Sequence, residues 1–269
     1  MSETQTFENV IYEKDGSVAR IIMNRPDKAN AQSSAMVWDF DRALKLADGD
    51  YDVKVVIIKA NGNGFCSGHD VSMRPGTNPE FEASMANTGV PWKAHSDLYL
   101  WPVLYLWEFP KPVIAQVHGY CVGSGTYYGL FTDITVAADD AYFQMPLLQG
   151  HGLPGGETMI EPWIFMNWKR ASEYLYTAQR LTAEQALQMG LVNRVVPRSE
   201  LEQVVEDLAA EIARVPLSTL MATKTMLKRA WELMGLRMHM QMSTDLMTMA
   251  ISSSDVRNFQ RGESPSSGE

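Results

Sequence analysis

Between residues 10 and 24, two short apolar runs flank Asp15-Gly16, a dipeptide that supplies the backbone of a tight turn, so the chain is expected to open on a β-hairpin. After Arg25-Pro26 the period changes. Met36, Phe40 and Leu44 recur four apart with Val37 on the same flank, which predicts an amphipathic helix capped by Ser34 and ending near Gly49. The run VKVVIIKA is apolar without alternation, as in a strand buried on both faces, and PVIAQV repeats the pattern. Each is followed by a glycine-rich loop, NGNGFCSGHDV and GYCVGSGTYYG, and ITVAADDAYFQ reads as a third strand. Repeated strand, loop and helix units predict an α/β fold with a largely parallel sheet, its glycine loops at strand C-termini, where such folds hold ligands.

Residues 73–95 have no clean period and read as a mobile segment, either a cover for a ligand site or a surface excursion, leading into a helix over 95–109. In that helix Tyr99, Trp101, Tyr105 and Trp107 do not form one stripe; they belong to the core or shape a bulky acyl site. Helices are predicted over 169–178, 182–189 and 199–214, the second opened by the capping pattern TAEQ and stopped by Gly190. Another runs on from Leu217, and a Met-rich one follows around 238–251. Eight of the 17 methionines fall between Met221 and Met249, a flexible apolar surface suited to helix or subunit packing. The tail GESPSSGE reads as disordered.

Composition narrows the class. With 45% hydrophobic and 20% charged residues in 269, a globular protein is expected, and the net charge of −9 disfavours nucleic acid and anionic membranes as partners. Cys66 and Cys121 lie outside any CxxC pair, the first residues show no cationic and apolar leader, and no run of about 18 apolar residues occurs. A cytoplasmic protein, neither exported nor membrane-spanning, is expected. No metal is suggested, because HxxxH, CxxC and clustered carboxylate patterns are missing from the sequence.

Four segments in order, NRPDKANA, GFCSGHDV, KPVIAQVHGYCVGSG and LTAEQALQMGLVNRVVP, resemble the crotonase, or enoyl-CoA hydratase/isomerase, superfamily. The resemblance implies a crotonase-like ββα spiral core over residues 1–200 carrying an acyl-CoA site. It also implies a C-terminal helical trimerisation region over 201–269, and hence a homotrimer or homohexamer. Coenzyme A enters as part of the thioester substrate, with no permanently bound cofactor. The thioester oxygen is implied to lie on two main-chain amides, here His69 and Ser124, with Gly68 and Gly123 letting the backbone turn inward. Such preorganised donors lower the barrier to an enolate or tetrahedral oxyanion by ~3–4 kcal/mol each. Lys28 and Ala29 take the family's nucleotide position, while His69, Asp70, Val71 and Ser72 line the adenine and pantetheine path. Arg261 stands where a cation reaches a neighbouring subunit's CoA phosphate.

The sequence departs from ordinary hydratases at the two water-activating glutamates, whose positions hold Tyr127 and Leu147. Neither a phenol of pKa near ~10 nor a leucine replaces a carboxylate there. The stretch QGHGLPGGETMIEPW offers substitutes: Glu157 as proton acceptor at a helix entrance, with Tyr127 donating or orienting through its hydroxyl. Glu161, one turn on, His151 and the His69 imidazole are further candidates. Isomerisation, C–C bond cleavage, hydrolysis and unusual hydration remain open, as does a non-catalytic CoA-binding or assembly protein. Cys66 and His69, three residues apart in a loop, are not taken as a nucleophilic pair.

Overall fold

The computed structural model of the chain describes residues 2–70, 91–155 and 158–262. Among the described residues, ten strands form two sheets. The larger has the order β1-β2-β3-β4-β5-β7-β10, with β1 Glu3–Thr6, β2 Val10–Asp15, β3 Val18–Met23, β4 Val55–Ala60, β5 Val113–Val117, β7 Ile134–Ala138 and β10 Arg194–Val196. The smaller sheet has the order β6-β8-β9, built from Tyr120–Val122, Tyr142–Gln144 and Leu181–Thr182. β1, β2 and β3 pair antiparallel, and from β3 to β10 every pairing in the large sheet is parallel. β5, β6 and the helix Gly125–Leu130 form one turn of a ββα spiral: a strand to the large sheet, a strand to the small one, then a helix. This is the spiral core that the motif resemblance implies.

The unbroken apolarity of VVIIKA is explained by two cores. Val56 and Ile58 face the main core with α1 (Ser34–Gly49), while Val55 and Ile57 face a second core closed by Leu201, Val205 and Leu208. Those last residues belong to a helix over Leu201–Ala213, whose Glu206 holds Arg20 of β3 through two hydrogen bonds of 2.5 and 2.6 Å.

Several local expectations shift. The hairpin turn is Gly16-Ser17, since Asp15 pairs with Val18, and Gly16 takes a φ of +57°. Ser33, one residue before the expected cap, receives the Met36 amide at 3.2 Å. β1 was not foreseen because ETQT is polar and wholly exposed. ITVAADDAYFQ is two strands in different sheets, separated at Asp139-Asp140. The TAEQ capping box is present, with Thr182 Oγ1 accepting from Gln185 N at 3.2 Å and Gln185 Oε1 accepting from Thr182 N at 2.9 Å.

The expected helix over 95–109 starts earlier and changes pitch: α2 (Pro91–His95), a π turn (Ser96–Leu100), then α3 (Trp101–Glu108). The wider turn moves the phase of the side chains, which is why the aromatic residues fit no single stripe. Tyr105 and Trp107 pack on the main core, whereas Trp101 is exposed. Most of the segment read as mobile lies outside the described residues, as does the tail from residue 263. No helix of the described residues is long and apolar enough to cross a membrane.

Candidate active site

Three loops distant in sequence are stitched side by side. The first follows β3 as a tight turn at Pro26–Lys28, with Ala29 and Asn30 both left-handed at φ +52° and +51°. Asn30 holds that strained shape, because its Oδ1 accepts from Arg25 N at 2.8 Å and its Nδ2 donates to Asn61 O at 2.8 Å and Gly64 O at 3.1 Å. The second loop, after β4, pairs with the third through a bridge between Cys66 and Cys121, whose hydrogen bonds are Cys66 N to Tyr120 O and Val122 N to Cys66 O.

A second bridge joins Gln32 and His69 in parallel: Gln32 N donates to Gly68 O at 2.8 Å and Asp70 N to Gln32 O at 3.0 Å. In such a bridge Gln32 spends both main-chain groups on its partner, so the N–H of His69 faces the opposite side. On that side lies the third loop. Gly68 has φ +102°, and a Cβ there would stand 3.1 Å from Val122 O and 3.6 Å from Ser124 N, so glycine alone serves. Gly123 N is anchored to Gln144 O at 2.9 Å, which fixes the turn presenting Ser124 at the start of α4 (Gly125–Leu130). Ser124 is buried, and its Oγ has no hydrogen-bond partner among the described residues.

A cavity of about 230 Å³ opens at this junction. Gly68, His69, Asp70, Gly123 and Ser124, five of the predicted site residues, line it together. Leu147 and His151 form another wall, at the two ends of α5 (Leu147–His151), and Tyr99 of the π turn closes a third. The His69 imidazole lies edge to face with the Tyr99 ring at 4.5 Å. Asp70 is tied to Arg25 at 3.2 Å. A larger cavity of about 470 Å³ between α1 and α3 is lined by none of the glycine-loop residues.

Other predicted residues lie elsewhere. Tyr127 is only 1% exposed and packed in the main core, not among the residues lining the cavity, because α4 is buried along its whole length. Glu161 is likewise buried and off the cavity wall, and burial, with the nearby Glu161 as a lesser cause, drives the Tyr174 phenol far above its ordinary range. Val71, Ser72 and Glu157 lie outside the described residues. Lys28 is exposed, and Ala29 uses its N–H on Pro26 O and its carbonyl on Ser67 N. Arg261 is exposed at the end of α12, the helix Ser254–Gln260, where Phe259 packs against Gly152 and Gln260 donates to His151 O at 3.2 Å.

Both cysteines are unsuited to nucleophilic work. Burial pushes the Cys66 thiol up to about 12, and its sulfur lies 3.1 Å from Asn30 O as a donor. Cys121 is raised for the same reason. His118, 3.0 Å from Gly62 O, satisfies a backbone group, and burial lowers its affinity for a proton. Among the described residues, no three His, Cys, Asp or Glu side chains are grouped to hold a metal.

One residue of this architecture carried no motif signal, and a second was left open between core and acyl site. Gln32, buried and reaching Ser124 O with its amide at 3.4 Å, couples the first loop to the third. Tyr99 reaches the cavity because of the π turn, a feature without a local sequence signature.

A family model described as enoyl-CoA hydratase/isomerase matches residues 13–265. The chain is 32% identical over 208 residues to a short-chain-enoyl-CoA hydratase of Clostridium acetobutylicum, covering 76% of this chain and 75% of that protein. It is 31% identical over 226 residues to the human enoyl-CoA delta isomerase 2, covering 83% of this chain and 55% of that one. The crystal structure of a probable enoyl-CoA hydratase from Mycobacterium smegmatis superposes with a TM-score of 0.82 at 32% identity, covering 93% of this chain and 98% of that one.

Proposed function

The chain belongs to the enoyl-CoA hydratase/isomerase family, and on that premise we propose that it processes an acyl-CoA thioester by holding the developing enolate or oxyanion on the main-chain amides of His69 and Ser124. The observation that carries this reading is the close approach of Gly68 to the Gly123-Ser124 turn at the cavity. Two N–H groups fixed on rigid loops need no reorganisation as negative charge develops on the thioester oxygen.

Leu147 on the cavity wall argues against ordinary hydration, since nothing at that position can polarise water. We therefore favour isomerisation, C–C bond cleavage or hydrolysis over straight-chain hydration; relatives named as a hydratase and as an isomerase match about equally well. Glu157, placed by sequence alone, is the proposed proton acceptor. With Tyr127 in the core, the donor's place passes to His151, which lines the cavity.

Coenzyme A is proposed to run along Lys28, Ala29, Asp70, Val71 and Ser72, with Arg261 answering a phosphate. A trimer, alone or paired into a hexamer, in the cytoplasm completes the reading. Loss of both water-activating carboxylates also supports a second reading, a CoA-binding protein without turnover. A mass-spectrometric screen of acyl-CoA thioesters, with crotonyl-CoA as reference, separates the two. Conversion of any thioester supports the enzyme, and micromolar binding without conversion, worth about −8 kcal/mol, supports the second. Neither binding nor conversion across a broad panel overturns both.

A further inference from the structure

Away from the acyl-CoA site, α10 (Leu217–Leu233) crosses the end of α3 and encloses two lysines one turn apart. Lys224 is almost fully buried, with Nζ 2.6 Å from Asp133 Oδ2 and donating to Lys111 O at 2.6 Å. Lys228 Nζ lies over the face of Trp107 at 4.5 Å, and that indole is itself stacked on Phe131 at 4.9 Å. A cavity of about 180 Å³, walled by Phe109, Pro110 and Thr225, opens beside this pair.

We propose that Lys228 is an acyl-accepting amine, a modification site that takes an acyl group from a thioester. The nitrogen lone pair attacks the thioester carbonyl carbon and the C–S bond breaks. The thiolate leaves with the electron pair and receives the proton shed by nitrogen, giving an N-acyl-lysine and a free thiol.

The charges around Lys228 support a nucleophile. Asp133 is committed to Lys224 and to Val113 N at 2.8 Å, while Glu232 accepts from Trp107 Nε1 at 2.7 Å and lies 3.7 Å from Arg237. Glu108 is taken by Arg237. Arg229 on the cavity rim and the Lys224 ammonium add positive charge, and no carboxylate among the described residues forms an ion pair with Lys228. Burial and Lys224 therefore outweigh the attraction of the indole face, and the Lys228 ammonium is lowered to about 6. Lowered in this way, Lys228 holds more free amine near neutral pH than an exposed lysine, which is almost wholly charged there.

The acyl-CoA reading supplies only the identity of the natural donor, so the test uses a thioester without a nucleotide. The full chain is incubated with S-acetyl-N-acetylcysteamine from pH 7 to 9, and the acetylation rate of each lysine is followed by peptide mass spectrometry. Lys228 should be labelled at pH 7 at least ~10-fold faster than the median lysine, at a rate nearly flat with pH, while exposed lysines speed up about tenfold per unit. In concentrated urea the preference should vanish. Lys224→Met should slow Lys228 labelling at pH 7, and if that variant fails to fold, the wild-type pH profile decides alone. A Lys228 rate that matches the median, or that climbs tenfold per unit with the others, overturns the proposal. Acyl-CoA binding elsewhere on the chain does not enter these readouts, so failure here and failure of the enzyme reading are separate results.

Discussion

Gly68 and Gly123 touch backbone to backbone: a Cβ on Gly123 would stand 3.4 Å from the Gly68 Cα, and one on Gly68 would stand 3.1 Å from the carbonyl just before Gly123. The contact sets the spacing of the following amides, those of His69 and Ser124, and crowds a methyl group at residue 68 against the Val122 carbonyl.

Gly68→Ala should therefore separate function from folding. The φ of +102° is unsuited to alanine and the methyl would push the two turns apart, at a cost of about 1–3 kcal/mol in stability. Turnover of whatever thioester the protein accepts should fall by ~10²–10³, the range for a lost oxyanion donor. Gly190→Ala is the control, because Gly190 also has a positive φ, +76°, but ends a helix with nothing within 4 Å of the added Cβ. It should lower the melting temperature and leave turnover unchanged. Equal turnover losses in both variants would remove the special role of Gly68.

The acid and base assignments are tested by kinetics. Crotonyl-CoA hydration should stay below a kcat/KM of ~10⁶ M⁻¹s⁻¹, since Leu147 cannot activate water. Once a substrate is found, Glu157→Gln should lower kcat by ~10²–10⁴ with CoA affinity almost unchanged. His151→Ala should lower kcat as well, and the double variant should lose less than the product of the two if they serve one proton transfer. Tyr127→Phe should leave kcat and KM within a few fold, because that side chain is in the core. A large loss for Tyr127→Phe beside full activity of Glu157→Gln would reverse the assignment.

How far the chain could be read in advance depended on how local each signal was. Glycine loops after the β-branched runs at VVIIKA and VIAQV announce themselves within about ten residues, so the two turns that line the cavity were legible. Meeting of residue 68 with residue 123 was carried only by the family resemblance, because no periodicity links loops so far apart. The burial of Tyr127 was not legible for a related reason. Its position in the motif indicates a catalytic seat, but a tyrosine on a helix buried along its whole length packs inward with the core. Tyr99 required a π turn, and Gln32 required knowing that its loop lies against Ser124; neither leaves a local trace.

Subunit assembly is testable on α11 (Leu236–Ile251). One face of that helix, with Leu236, Met240 and Met247, is buried. The opposite face carries Met238, Met242, Leu246 and Met249, each more than half exposed. A row of that size facing water is costly and is expected to meet another subunit. Light scattering should give a mass three times the 30.1 kDa of one chain or a multiple of that. Met242→Lys combined with Leu246→Lys should shift it toward a single chain without loss of helix signal. A wild-type monomer at micromolar concentration would refute this assembly.

Lys228 makes stability depend on pH in a direction opposite to an ordinary lysine ion pair. In the unfolded chain its amine titrates near the ordinary 10.5, and in the folded protein near 6. Above 10.5 it is neutral in both states and costs nothing on this account. As pH falls from there toward 6, the unfolded state gains a proton that the folded state refuses, so folding stability declines. Below 6 both states are protonated and the penalty is constant at its maximum. Lys228→Met keeps an apolar stem against Trp107 and removes the titration, while Lys224 retains Asp133 and the Lys111 carbonyl. At pH 7 the variant should be more stable than the wild type by about 1–3 kcal/mol, a fraction of the full linkage value because the side chain is partly exposed. The gap should widen down to pH 6 and close near pH 10.5. Chemical denaturation of both chains at pH 6, 7, 9 and 10.5 measures it directly. A gap independent of pH would mean that Lys228 keeps its proton in the folded protein, and a less stable variant at pH 6 would mean that the Trp107 face holds the charged amine after all.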